Sequence, residues 1–254
     1  MLKDKKIGLA LGGGAVLGTA HIGVLKALDE VNIKISFISG TSIGSLIAAF
    51  TAFGFNWKSI KEIALSLDWM DISTISLSQY GLLSNKNIGA LISDKIKNPN
   101  FESSSIPLAV ITTDISNGKK VILTKCKVDK AVMASTSIPG LFAPVEINND
   151  LLVDGGIVEN VPISPLKKFG ADYIIAVDLN AGRNQKRPEN IIEVLLNTFD
   201  FTIMTATKLQ TEEADMLIKP DLSKYNMVET NQIDNLIDEG YNEAKKMFEK
   251  YLNI

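Results

Sequence analysis

The chain has a single cysteine, Cys126, and a single histidine, His21, in 254 residues. A lone cysteine excludes an internal disulfide, and no Cys/His cluster is present to hold zinc. The expectation is a reducing, cytoplasmic setting, with no metal and no cofactor. Basic blocks are scarce beyond "KDKK" near the N-terminus, the net charge is −3 and the pI is about 5.4. That balance argues against a nucleic-acid partner. Long apolar runs are missing too. The longest nearly uncharged one, Ile43 to Phe55, falls short of the roughly 20 residues that span a bilayer and reads as a buried helix. Residues 7–17 are apolar but hold three consecutive glycines and lack an A-x-A cleavage pattern, so they do not read as a secretory signal. Any membrane contact is expected to be peripheral. Oligomeric state is left open.

What is present suits a globular chain with a sizeable core. Hydrophobic residues make up 46% and charged residues 22%. Strand and helix signals alternate. "KIGLAL" reads as a strand, "TAHIGVLKALDEV" as an amphipathic helix, "IKISFI" as the next strand, and "KSIKEIALSL" as a further helix. Residues 68–84 lack clean periodicity and read as a partly apolar excursion. "NKNIGALISDKI" resumes helical spacing, with Ser84 as the expected N-cap. "LAVITTDI" and "KKVILTK" flank a tight-turn signal at Asn117-Gly118. "PVEI" and "LLVDGG" form a second hairpin-like pair. "DYIIAVDL" is apolar almost throughout, as in a strand covered on both faces. A helix is expected from about Pro188 to about Glu212, and another closes the chain. With no repeats and no clear linker, residues 1–254 are expected to form one α/β domain around a mostly parallel sheet.

Two glycine-rich turns carry chemistry. In "LALGGGAVLGTAH" a strand gives way to a helix through Gly12, Gly13 and Gly14. The dinucleotide pattern G-x-G-x-x-G fails from Gly12, where Leu17 falls on the last glycine, and from Gly13, where Ala15 falls on the middle one. The Gly-Lys-Ser/Thr of a phosphate loop is absent. An oxyanion hole built from backbone N–H groups remains, beside the plain reading of a tight β–α turn.

One β–α unit later, "GTSIG" places Ser42 between Gly40 and Gly44. Strand, sharp turn and helix around G-x-S-x-G form a nucleophile elbow, and the Ile43 N–H could join the glycine loop. The usual order of serine, acid, then histidine is excluded, because no histidine follows Ser42. His21 lies on the inward face of the first helix and reads as a core residue. A carboxylate is therefore the leading base. Asp154 ends an apolar strand and precedes Gly155 and Gly156. A free aspartate, with pKa of about 3.9, is a weak base. Burial beside Ser42 would raise that value. Asp114 and Asp178 also stand at strand ends and stay open as alternatives, each with turn formation as its simpler role.

The motifs "LALGGG…GTAHIGVLKALDE", "GTSIGSL", "SIPGLFAPV" and "LVDGGIVENVPI", in that order, resemble the patatin-like phospholipase family. The resemblance implies a three-layer α/β/α sandwich and a Ser42–Asp154 dyad without histidine. It implies an oxyanion hole from the glycine loop and hydrolysis of lipid acyl esters, often phospholipids, without a metal. The expected partner is thus a lipid or acyl-ester substrate. Ala15 stands where such loops carry glycine, and Leu17 where they carry Arg or Lys. A non-catalytic lipid-binding protein on the same fold is the rival expectation, and a nucleotide-binding enzyme a distant third. The apolar residues Trp69, Met70, Leu77, Tyr80, Leu82 and Leu83 read either as core or as the lining of an acyl channel or a membrane contact.

Overall fold

The computed structural model describes residues 2, 4–67, 74–78, 81–180, 187–227 and 229–252. Strand β1 (Ile7–Leu11) leads through the glycine turn and a short 3-10 turn (Ala15–Thr19) into α1 (Ala20–Glu30). Strand β2 (Ile35–Thr41) runs into α2 (Ile43–Ala52), and α3 (Trp57–Ser66) follows, capped by Asn56, whose Oδ1 accepts from the Ser59 N–H at 3.0 Å. Next come β3 (Thr74–Ser78), β4 (Gly81–Ser84) and α4 (Lys86–Lys95). The middle of the chain supplies β5 (Leu108–Asp114), β6 (Lys119–Leu123), α5 (Val128–Ser135), β7 (Gly140–Phe142), β8 (Val145–Ile147) and β9 (Asp150–Asp154). Two short helices, α6 (Gly156–Glu159) and α7 (Ser164–Phe169), precede β10 (Tyr173–Val177). The chain then forms α8 (Ile191–Gln210), β11 (Met216–Ile218) and α9 (Ile233–Leu252).

The main sheet runs in the order β11-β10-β1-β2-β5-β9-β8, with β6 also on β5. Pairings from β11 to β5 are parallel, and β6, β9 and β8 join antiparallel. Side chains alternate across it. Leu9, Leu11, Ile175 and Val177 face the larger core, shared with α1, α2, α5 and α9. Ala10, Ile174 and Ala176 face a smaller core with Val161, Ile163 and Leu166 on the α7 side. Burial on both faces gives the near-continuous apolar strands seen in the sequence and the expected three layers.

Three local expectations shift. The excursion at 68–84 contains β3 and β4, which form a second sheet with the distant β7. The rest of it, including Trp69, Met70 and Tyr80, lies outside the described residues, as do the side chains of Leu77 and Leu82. Asn85, not Ser84, occupies the N-cap of α4, because Ser84 is still paired with Thr74 in the strand. Helix α8 starts at Ile191, where Asn190 Oδ1 accepts from the Glu193 N–H at 3.0 Å and ends the preceding extended segment.

Candidate active site

Strand β5 brings the two ends of the site together. Thr41 pairs with Ile111, and Ser42 is the next residue after Thr41. Asp154 pairs with Thr112, the neighbour of Ile111. Two residues 112 positions apart in the chain are thus placed at one level of the sheet.

The turn at Ser42 is strained and braced. Its φ is 53° and ψ −131°, outside the conformations an L-residue ordinarily adopts. The Ser42 N–H donates to Ser135 Oγ at 2.8 Å, and Ser135 Oγ donates to Ile111 O at 2.7 Å. The Ser42 carbonyl accepts from the Ser45 N–H at 2.8 Å and from Ser45 Oγ at 2.6 Å. Gly44 permits the close crossing of the two glycine turns, since a Cβ there would lie 2.2 Å from Leu11 O. Gly40 is enclosed in the same way by the backbone of Gly44 and Ser45.

Asp154 is fully buried. Its backbone is fixed by its own N–H to Ser137 O at 2.8 Å and by Thr113 Oγ1 to its carbonyl at 2.9 Å. Its Oδ1 accepts from the Gly156 N–H at 2.8 Å. Gly155 lets the chain turn against β5, where a Cβ would come 2.3 Å from Ile111 O. Burial pushes the Asp154 carboxyl up to about 7, while the Ser42 hydroxyl and the Gly156 N–H pull it back down. Its Oδ2 makes no hydrogen bond of full geometry. The Ser42 hydroxyl is nonetheless near enough to lower the pKa of the carboxyl.

The other acids hold turns. Asp114 Oδ1 accepts from the Ser116 N–H at 2.9 Å, and Asp178 Oδ1 accepts from the Asn180 N–H at 3.0 Å. Burial raises the pKa of Asp178 as well. His21 is fully buried, as a core residue should be, and its Nε2 lies 2.8 Å from Gly12 O. A carbonyl only accepts, so Nε2 carries the proton and Nδ1 is bare. Burial lowers the His21 pKa to about 4.

The three glycines of the first turn have different surroundings. Gly12 donates to Val177 O at 3.1 Å and accepts from His21. Gly13 donates to Asn160 Oδ1 at 3.1 Å, and its carbonyl accepts from Asn180 Nδ2 at 3.0 Å. Among the described hydrogen bonds, the N–H groups of Gly14 and Ile43 have no acceptor. A Cβ on Gly13 would lie 3.0 Å from Ser42 Cβ, so this clamped peptide is directly beside the serine. Sequence reasoning missed Asn160 and Asn180. The only signal for Asn160 was its place in "GGIVENVP", directly after the Asp154 motif. Ala15 adopts φ 50°, and Leu17 is fully buried. Among the described residues, no group of three His, Cys, Asp or Glu side chains could hold a metal ion.

The sequence profile described as Patatin-like phospholipase matches residues 9–167, from β1 through the Asp154 turn to α7. The chain belongs to the patatin-like phospholipase family. An uncharacterized NTE family protein of Mycobacterium tuberculosis is 35% identical over 198 residues, covering 76% of this chain and 55% of that protein. A lysophospholipase NTE1 of Yarrowia lipolytica is 32% identical over 195 residues, covering 71% of this chain and 13% of that protein. This patatin-like chain thus spans about half the length of the first of these relatives and a smaller part of the second. VipD from Legionella pneumophila shares the fold, with a TM-score of 0.57 at 12% identity, over 97% of this chain and 67% of VipD.

Proposed function

We propose that this patatin-like chain is a serine acyl hydrolase that cleaves lipid acyl esters, with Ser42 as nucleophile and Asp154 as base. The observation that carries the reading is the register of β5, which sets the strained Ser42 turn beside a buried carboxyl raised to about 7. Ionised Asp154 accepts the Ser42 proton as Oγ attacks the ester carbonyl. The oxyanion is held by the free N–H groups of Gly14 and Ile43, aided by the positive end of the α2 dipole. Gly12 and Gly13 keep the glycine turn in place rather than donating to substrate. The acyl-serine forms as protonated Asp154 gives its proton to the leaving alcohol, and Asp154 then activates water to release the acid.

The lipid preference rests on family membership and on the relative named a lysophospholipase. Assay of p-nitrophenyl esters and lysophospholipids with wild type, Ser42→Ala and Asp154→Asn tests the reading. Turnover by wild type alone supports it. Unchanged turnover in Ser42→Ala overturns the dyad, and lipid binding without any turnover favours a non-catalytic lipid-binding protein.

A further inference from the structure

The segment that follows the base, residues 159–163, touches both glycine turns. Thr41 Oγ1, one residue before the serine, donates to Glu159 O at 2.8 Å. Ser39 Oγ donates to Pro162 O at 2.6 Å. From the other turn, the Gly13 N–H donates to Asn160 Oδ1 at 3.1 Å, and a Cβ on Gly12 would lie 3.2 Å from Val161 Cγ2. A shift of this segment therefore moves the strand that carries Ser42 and the glycine loop together.

Helix α6, which leads into the segment, has only four residues, and Pro162 has no N–H to donate. Gln210 on α8 accepts from the Asn160 N–H at 3.2 Å and holds the start. The far end is held by the Glu159 side chain. Glu159 is buried, and its carboxylate reaches across to Ser164, the first residue of α7. Oε1 accepts from the Ser164 N–H at 2.8 Å. Oε2 accepts from Ser164 Oγ at 2.7 Å and from Lys120 Nζ at 2.8 Å. Lys120 Nζ also donates to Ser164 Oγ at 2.9 Å. Lys120 lies on β6 opposite Thr113 of β5, whose Oγ1 donates to the Asp154 carbonyl.

We propose that Glu159 is a positioning residue for hydrolysis. It acts through the segment it closes. By pinning Ser164 it fixes Glu159 O, Asn160 Oδ1 and Pro162 O, and with them the placement of Ser42 against the Gly14 and Ile43 N–H groups. What matters is reach rather than charge. The Ser164 contacts close the segment itself, whereas Lys120 is half-exposed and free to turn to water. A misplacement of about 1 Å at the reacting atoms costs about 10²-fold in rate. The inference rests on the hydrolase reading.

Three variants separate reach from charge. Glu159→Gln keeps the length: its carbonyl can accept from the Ser164 N–H, and its amide can donate to Ser164 Oγ. Glu159→Asp keeps the charge but falls a methylene short. Glu159→Ala loses both. With a water-soluble acetate ester, kcat should stay within about threefold of wild type in Glu159→Gln and fall about 10–10²-fold in the other two, with KM little changed. The rate of Ser42 labelling by a fluorophosphonate should fall in step. Rates are read well below each variant's melting midpoint. Phe248→Leu, a cut in the buried face of α9, is the control for lost stability alone and should keep the wild-type kcat. Glu159→Gln and Glu159→Asp carry the test even where Glu159→Ala does not fold. Wild-type kcat and labelling in Glu159→Asp, or equal losses in Glu159→Gln and Glu159→Asp, overturn the proposal. So does a loss of kcat in Phe248→Leu as large as that in Glu159→Asp. Absence of Ser42 labelling in the wild type is a different failure, since it overturns the hydrolase reading and this inference with it.

Discussion

Ser42 and Asp154 meet because they flank adjacent residues of one strand: Thr41 pairs with Ile111, and Asp154 pairs with Thr112. The described hydrogen bonds tie neither residue directly to the histidine. The single histidine is instead bonded to the glycine turn through Gly12 O.

Burial of Asp154 sets a pH dependence. The base must be ionised to take a proton, and its pKa is raised to about 7. For a p-nitrophenyl ester, kcat/KM should rise as pH climbs through about 7 and level off above it. Asp154→Asn should lower kcat by about 10²–10⁴-fold. A profile already flat from pH 5 to pH 8 contradicts this assignment of the base.

The same burial affects stability with the opposite preference. Asp154 titrates higher in the fold than its ordinary 3.8, so ionisation costs stability as pH rises from 3.8 to about 7. His21 titrates near 4 in the fold against an ordinary 6.5, so stability is lost as pH falls from 6.5 to about 4. The two slopes oppose each other in the wild type. Asp154→Asn removes one, and urea unfolding of that variant should show stability climbing from pH 4 to 6.5. At pH 8 it should exceed wild type by a few kcal/mol. Equal stability of the two proteins across this range contradicts the buried-charge account.

Asn160 and Asn180 should respond differently to the same change. Gly13 N–H needs an acceptor from Asn160, whereas Gly13 O needs a donor from Asn180. Aspartate supplies the first and, when ionised, not the second. At alkaline pH, Asn160→Asp should keep kcat within about threefold, while Asn180→Asp should lose about 10²-fold through displacement of the turn beside Ser42. Acidification should narrow the gap between Asn180→Asp and wild type measured at the same pH, because a protonated carboxyl can donate. Equal losses in the two variants show that only general packing is at stake.

Ala15 holds φ 50°, which glycine adopts without strain. Ala15→Gly should stabilise the protein by about 1 kcal/mol at most, since the gain is partly offset by unfolded-state entropy. Leu17→Arg, which restores a cation to this loop, should unfold it, because Leu17 is fully buried. Thermal melts of both variants check the pair.

The sharp turn at Ser42 was legible because its signals are local: a strand, two spaced glycines and an apolar helix. The layers were legible from the apolar run of β10, whose residues alternate between two cores. Long-range pairing left no such mark. Nothing in "GLLS" announces that Gly81 and Leu83 pair with Gly140 and Phe142. The clamp on Gly13 comes from side chains 147 and 167 residues away, and asparagine in a loop carries no sign of its partner. His21 read correctly as buried, yet its bond to Gly12 O depends on how the first helix folds back over the turn.

Fluorophosphonate labelling across pH, followed by peptide mapping, tests the central claim most directly. The account predicts a single adduct on Ser42, with a rate that rises through an apparent pKa near 7 and falls sharply in Asp154→Asn. Labelling at another residue, or a Ser42 rate unchanged in Asp154→Asn, would contradict it.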